Sequence, residues 1–300
     1  MRYRPLRLKD RMLFDKFLGR EGCRLSTYAF ANIYIWKGLF RIFWAIVENN
    51  LCVLFQDKIG AFFYLPPLGK RQTADLIARC FAIMDGFNLN AEISRIENVQ
   101  AEDLEFYQSL GYECVSKGCD YVYHSDSLIG LKGNAFKSQR AGLNYFLKHY
   151  ACDYQPFSLK DKKDCLALCR DWMDNRRRKS SDPVYRQMLQ DSLTAQKQAM
   201  DNYRELRLIG RVVKINRQIK GYTFGFPLNK ETFCVLFEIT DLNCKGISQF
   251  IFHRLIQESR ECRYVNVMDD SGLENLRRVK LSYRPVKLIP AYIVKRKPDA

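Results

Sequence analysis

The chain is short of histidine and of the cysteine spacings that build metal and redox centres. It has three histidines in 300 residues and no Cys-x-x-Cys pair. His124, His149 and His253 do not stand at zinc-ligand spacing from any cysteine. The eleven cysteines are an odd, scattered set, so no disulfide framework is indicated. Cys165 and Cys169 are four apart on one helix face, but Leu166 and Leu168 beside them make core packing the expected role and no metal is expected there. A long apolar run is also missing. The most apolar stretch, Tyr28–Val47, is broken by Lys37 and Arg41, well short of the ~20 apolar residues a membrane span needs. Met1–Arg20 is charged throughout and has no apolar signal-peptide core, so a cytoplasmic protein is expected.

What is present is a real core and an excess of positive charge. Hydrophobic residues make up 47% of the chain, which excludes a disordered protein. The net charge of +16 suits an anionic partner such as nucleic acid, an anionic lipid surface or a phosphorylated substrate. A merely basic, soluble surface would carry the same charge.

The order of elements repeats. Tyr3–Leu8 reads as a short strand, followed by a helix with Met12, Leu13, Phe17 and Leu18 on one face. Ser26 is the expected N-cap of a second helix, which turns Tyr28, Phe30, Ile33, Tyr34 and Trp36 inward, into a ligand pocket or, on spacing alone, into the core. Strands are expected at Arg41–Glu48, Leu51–Gln56 and Gly60–Leu65, then a helix from Thr73 to Met84. A strand near Leu89–Ile93, a helix near Ala101–Leu110, and strands at Tyr112–Val115 and Asp120–His124 complete the first pass. Lys132–Tyr150 is a basic amphipathic helix with Phe136, Leu143, Phe146 and Leu147 facing in and Lys132, Lys137, Arg140 and Lys148 facing out. It is either a phosphate contact or a solvated bridge between domains.

After Cys152–Phe157 the pattern returns. Helices run over Lys160–Arg176 and from Asp182-Pro183 to Met200, and strands over Leu206–Ile215, Gln218–Phe226 and Glu231–Thr240. Arg176-Arg-Arg-Lys179 ends a helix, where cations oppose the dipole without any ligand, though four basic side chains could also clamp an anion. Two copies of one α+β unit are therefore expected, residues 1–150 and 151–300, with a boundary near Ala151.

The second copy holds the densest chemistry, in Glu231–Pro285. A buried strand runs into the turn Asp241-Leu-Asn-Cys-Lys-Gly246, then a helix with Ile247, Phe250, Ile251, Leu255 and Ile256 at helical spacing. Tyr264–Met268 is a second strand, closed by Asp269-Asp270-Ser271-Gly272, and a helix carrying Arg277, Arg278 and Lys280 follows. A strand feeding a helix N-terminus is where backbone N–H groups can hold an anion.

The repeated order is similar to the GNAT acyltransferase fold, present twice. Asp120–Tyr150 resembles a segment of the phosphatidylglycerol lysyltransferase C-terminal-like family, with Gly133, Phe136, Lys137, Arg140, Asn144, Phe146, Lys148 and Tyr150 matching its Gly-Lys basic helix. Ala141 and Gly142 stand where that family usually has Asn-His. Tyr264–Pro285 resembles a second signature through Asn266, Asp270, Gly272, Leu273, Arg277, Lys280, Ser282, Tyr283 and Pro285, and Ser26–Trp36 and Tyr64–Gly69 fit as well.

The resemblance implies two tandem GNAT-like domains, each a mostly antiparallel mixed sheet with helices on both faces. It implies an acyl- or aminoacyltransferase with an aminoacyl-tRNA or acyl-CoA co-substrate, an amine or hydroxyl acceptor and no tightly bound cofactor. tRNA and anionic lipid headgroups are the implied partners; the alternative is a non-catalytic module that binds them. The donor is expected in a splay between the strands Glu231–Thr240 and Tyr264–Met268. Asp241 is the first candidate to bind the donor's amine or relay a proton, unless it is only a turn aspartate. Lys280 and Arg277 are expected to neutralise a phosphate or oxyanion, unless they form a solvated face. Glu238 is a further base candidate, and Asn266, Asp270 and Tyr283 are expected to support the site, Asp270 by capping the helix. The usual pyrophosphate loop survives only in degraded form at Gly246 and Ser248, which suits an aminoacyl-tRNA better than acetyl-CoA. Lys137 and Arg140 are candidate phosphate contacts.

Overall fold

A computed structural model describes residues 3–19 and 24–297. The chain forms two compact units, Met1–Asp120 with Ile289–Ala300, and Tyr121–Leu288.

In the first unit, β1 (Arg4–Pro5), α1 (Arg11–Leu18) and α2 (Phe30–Tyr34) precede a meander of β2 (Arg41–Val47), β3 (Asn50–Gln56) and β4 (Ala61–Phe63). Then come α3 (Ala74–Asp85), β5 (Arg95–Gln100), α4 (Leu104–Ser109) and β6 (Glu113–His124), the last passing into the second unit at Tyr121. β4 meets β5 in parallel at the single pair Phe63↔Ile96. Phe14, Phe55, Phe63, Phe81 and Tyr107 are fully buried here, and the aromatic stripe Tyr28–Tyr34 is core.

The second unit holds α5 (Ser125–Gly130), α6 (Lys137–His149), β7 (Asp153–Pro156), α7 (Lys162–Arg177) and α8 (Pro183–Asp201). The strands β8 (Ile209–Ile215), β9 (Gln218–Pro227) and β10 (Thr232–Thr240) form an antiparallel run. After them come α9 (Ile247–Glu258), β11 (Tyr264–Asn266), α10 (Glu274–Ser282) and β12 (Lys287–Lys295). α7 covers one face of β9 and β10, and α9 lies on the same two strands. Cys165 and Cys169 are buried in the α7 face, as core residues. Among the described residues no helix is long and apolar enough to cross a membrane, and no group of His, Cys, Asp or Glu is arranged to hold a metal.

Several elements differ from the sequence expectation. The units do not part near Ala151. α6 packs on α9, and β6 ends by pairing with β11 (Tyr264↔His124, Asn266↔Val122), so both belong with the C-terminal copy. Conversely, β12 pairs with β5 (Ala291↔Gln100, Lys295↔Arg95) and belongs with the N-terminal copy. The last strand of each repeat is thus built into the sheet of the other. Residues 91–93 are a 3-10 turn, not a strand, because Asn90 Oδ1 accepts the Glu92 N–H (2.8 Å); the strand begins at Arg95. The two short strands expected at Tyr112–His124 are one strand of 12 residues. The helix expected from Thr73 is α3, and Thr73 is its cap, accepting from Leu76 N (3.1 Å). Ser26 caps no helix: its N–H donates to Asp120 Oδ2 (2.6 Å), and α2 starts from Ala29. Leu147, expected inside, is 57% exposed.

Candidate active site

β10 and β11 run parallel for three residues only, Thr232↔Tyr264 to Cys234↔Asn266. Asn266 then ends β11. Its Oδ1 accepts the Met268 N–H (2.7 Å), and Met268 turns the chain away at φ +63°. β10 continues alone on that side to Thr240, still paired with β9 on the other and shifted by a bulge between Val235 and Phe237. The splay expected from the sequence is therefore present.

Glu238 stands in the splay. Alternation along β10 puts it on the side of Thr240, which adjoins Ile247 of α9. The residue is half-buried, but Oε2 is screened from solvent and has no hydrogen-bond partner among the described residues. Burial alone pushes its carboxyl up to about 8. Tyr283 lies near it: burial first, and then the Glu238 charge, raise the Tyr283 phenol. Phe252 and Tyr123 meet the Tyr283 ring edge-on, at 5.2 and 6.4 Å between centroids.

The turn after β11 is tied down from several sides. Lys280 Nζ donates to the carbonyls of Val267 (2.6 Å), Met268 (3.2 Å) and Asp269. An ammonium has three protons, so the group expected to meet a phosphate is spent on the backbone. Asp270 Oδ1 accepts from Gly272 N (3.0 Å) and Oδ2 from the Tyr121 hydroxyl (2.6 Å). It organises the turn ahead of α10, whose N-cap is Leu273. Tyr123 Oη donates to the Lys280 carbonyl (2.9 Å).

Asp241 is a turn aspartate. Oδ1 accepts from Asn243 N (2.9 Å) and Oδ2 from Lys220 Nζ (2.9 Å). Burial raises its carboxyl, but the Asn243 N–H and the Lys220 ammonium outweigh that and hold it below the ordinary range. It is therefore a poor proton acceptor. Arg277 is exposed on α10, and Lys137 is exposed at the start of α6. Arg140 folds back, donating to the carbonyls of Gly133 (2.6 Å) and Leu131, and so does not point outward. Gly246 opens α9 at φ +86°, and a Cβ there would meet the Gly142 carbonyl at 2.1 Å. The bare backbone at Gly246 thus lets the Gly142 carbonyl of α6 close on the α9 N-terminus and fill one side of the degraded loop. Ser248, next in that loop, donates to Gln249 Oε1 (3.2 Å).

Gln139 was not singled out in the sequence. Its Nε2 donates to both the carbonyl and the hydroxyl of Ser282 (3.0 Å each), while its Oε1 is buried without a partner among the described residues. The available signal was a polar residue three positions after Phe136 and four before Leu143, on the apolar stripe of a basic helix.

A search of curated protein sequences finds no match. The fold is shared with a conserved protein of unknown function from Bacteroides thetaiotaomicron (TM-score 0.86, 23% identity, covering 98% of this chain and 99% of that one). It is also shared with L-PGS from Bacillus licheniformis (0.66, 17%, 97% and 93%). A tandem GNAT protein from the clavulanic acid biosynthesis pathway aligns over 100% of this chain and 99% of its own (0.52, 8%). The fold is therefore the expected α+β tandem GNAT architecture. The family model described as phosphatidylglycerol lysyltransferase, C-terminal, matches residues 21–295, and the chain belongs to that family.

Proposed function

We propose that this chain is an acyltransferase that takes an aminoacyl group from a charged tRNA, or an acyl group from a CoA thioester, and passes it to an amine or hydroxyl. The family and the tandem fold support the reaction class. The observation that carries the reading is Glu238, a carboxyl with a screened, unpartnered oxygen in the strand splay and a pKa of about 8. A base poised near working pH is what acyl transfer needs. Glu238 takes the nucleophile's proton as the new bond to the carbonyl carbon forms. The ester C–O bond, or the C–S bond of a thioester, then breaks, and the same proton goes to the leaving oxygen or sulfur. Of the residues read from the sequence, Glu238 takes the role first given to Asp241. The crowding of Gly246 by Gly142 weighs against a pyrophosphate cradle there and favours the tRNA ester as donor.

A second reading, a non-catalytic module for tRNA or anionic lipid, is favoured by the engagement of Asp241 and Lys280 within the fold. The test is a transfer assay with labelled aminoacyl-tRNA pools and acyl-CoA thioesters. Label should move to an acceptor with wild type and not with Glu238→Gln. No transfer from any donor, with tRNA or vesicle binding weakened by Lys137→Ala and Arg277→Ala, would establish the module instead.

A further inference from the structure

α6 and α9 pack side by side, and a cavity lies between them and β7. The helices touch at the start of α9, where the Gly142 carbonyl closes on Gly246. One turn on, the rings of Phe146 and Phe250 stack at 4.6 Å between centroids. Next to that stack is a cavity of about 500 Å³, open to solvent on one side and within the ~300–1,000 Å³ of small-molecule sites. α6 gives it Leu143, Leu147 and Tyr150, one face of the helix at i, i+4 and i+7. This accounts for Leu147, which the apolar spacing turns inward and which is nonetheless exposed: it faces the cavity and not a packed core. α9 gives a matching face that is apolar at Phe250 and polar at Arg254 and Gln257. β7 gives Tyr154, whose ring meets Phe250 edge-on at 6.1 Å. His253 is fixed in the wall, its Nε2 donating to the Ile129 carbonyl (2.9 Å).

The charge in this cavity is positive. Arg254 is exposed and stands 5.5 Å over the Tyr154 ring. Its natural partner is Glu258, one turn further along α9. Glu258 Oε2 is taken instead by Arg211 Nε (2.7 Å) and the Tyr154 hydroxyl (3.3 Å). Alternation along β7 turns Asp153 to the face away from Tyr154. Among the described residues no carboxylate pairs with Arg254, and its side chain meets only the Gln257 amide oxygen, at 3.4 Å, besides the Tyr154 ring. A slot walled by leucine and aromatic rings, with one uncompensated guanidinium, fits an apolar chain that ends in an anion. We infer that this cavity binds an amphiphilic anion, its chain along Leu143, Leu147 and Phe250 and its carboxylate or phosphate head on Arg254. An ammonium head would meet a like charge, and a neutral hydroxyl would leave the guanidinium unpaired. The site is separate from the strand splay. Ile247, which adjoins the splay, opens α9, and Arg254 lies seven residues on, about 10 Å along the helix axis. The inference therefore does not rest on the transferase reading.

Calorimetric titration of the full chain with octanoate, decanoate, decyl phosphate and decylamine tests the site. Decanoate should bind about tenfold tighter than octanoate, since each buried CH₂ is worth about three- to fourfold. Decylamine should bind about tenfold or more weakly than decanoate, because it cannot pair with the guanidinium. Arg254→Gln should weaken both anions about tenfold and erase their advantage over the amine. Leu147→Glu, which sets a like charge in the slot, should weaken them by a similar factor. Leu147 is exposed, so this variant should melt within about 2 °C of wild type, and the comparison of anion with amine needs no variant at all. Either anion binding in this way supports the site, with decanoate the tighter for a carboxylate source and decyl phosphate the tighter for a phosphate source. Equal binding of decanoate and decylamine, no binding of either anion, or anion binding untouched by both variants overturns it. So does a dimer in sedimentation that Leu147→Glu dissociates and that binds no anion, since a second copy then fills the cavity. None of these results depends on Glu238, so failure here and failure of the transfer assay are distinct.

Discussion

Each repeat buries a glutamate beside its short parallel strand pair, and the two are treated in opposite ways. In the first unit Glu97 follows Ile96, the residue that joins β5 to β4. Its Oε1 accepts from Arg95 Nε (2.6 Å) and its Oε2 from Lys117 Nζ (2.7 Å). Lys117 also donates to Asn98 Oδ1 (2.8 Å), and Asn98 Nδ2 to the Tyr64 carbonyl (2.7 Å). Burial raises the Glu97 carboxyl, but the two cations together outweigh burial and hold it below the ordinary range. In the second unit Glu238 has no cationic partner among the described residues, and burial acts unopposed. The same fold therefore carries one junction closed by a satisfied ion network and one left chemically open.

That contrast can be broken at either end. The largest effect is expected at Glu238. Glu238→Gln should cost about 10²–10⁴-fold in transfer rate, and activity near wild type would remove it from the chemistry. Wild-type kcat/KM should rise with pH to a plateau above about 8, because the base must be unprotonated. Stability should move the other way. A carboxyl raised in the folded state holds its proton longer than in the unfolded chain, so stability falls as pH climbs from the ordinary carboxylate range to about 8. Glu238→Gln removes this slope, so in denaturant melts the variant should gain on wild type across that window.

Next in size is Glu97→Leu, which strands Lys117 and Arg95 and should cost about 3–5 kcal/mol of unfolding free energy. A loss below about 1 kcal/mol would mean that the first junction is not held by its ions. Lys280→Met removes the three bonds to the turn after β11 and should cost about 2 kcal/mol. Hydrogen exchange should quicken at residues 267–272, and unchanged protection there would refute the clamp. The smallest effect is expected for Asp241→Asn, about 1 kcal/mol or less, with transfer within about threefold of wild type. The Asp241 carboxyl is lowered, so its contribution is complete above the ordinary carboxylate range and fades as pH falls through its folded value. A pH titration of Tm for the variant should differ from wild type only above that acid range.

Much of this was legible in the residues, because apolar periodicity decides elements and the repeat was one of element order. The meander and the two long helices of the second copy follow from runs such as Thr232–Ile239, and the splay from the resemblance to the GNAT fold. β5 was missed because its central residues, Glu97 and Asn98, are polar and buried, so the strand does not alternate. The roles within the site were harder to read. A lysine's charge is visible in a sequence, but its spending on three carbonyls depends on a turn made by Met268 at positive φ. Asp241 and Glu238 are both carboxylates near the end of β10, and what separates their roles is their neighbours. Lys220 reaches one from β9, and among the described residues nothing reaches the screened oxygen of the other.

The reciprocal placing of β6 and β12 has a consequence for how the chain is made. During synthesis the N-terminal residues emerge first, and domains usually fold as they appear. Here β5 must wait for β12, which follows the strands and helices of the second unit in the chain, before its open edge is paired. The first unit can therefore finish folding only after the second has been translated. Truncation near Ala151 would give two fragments, each lacking a strand that the other carries and each with a sheet edge exposed to aggregation.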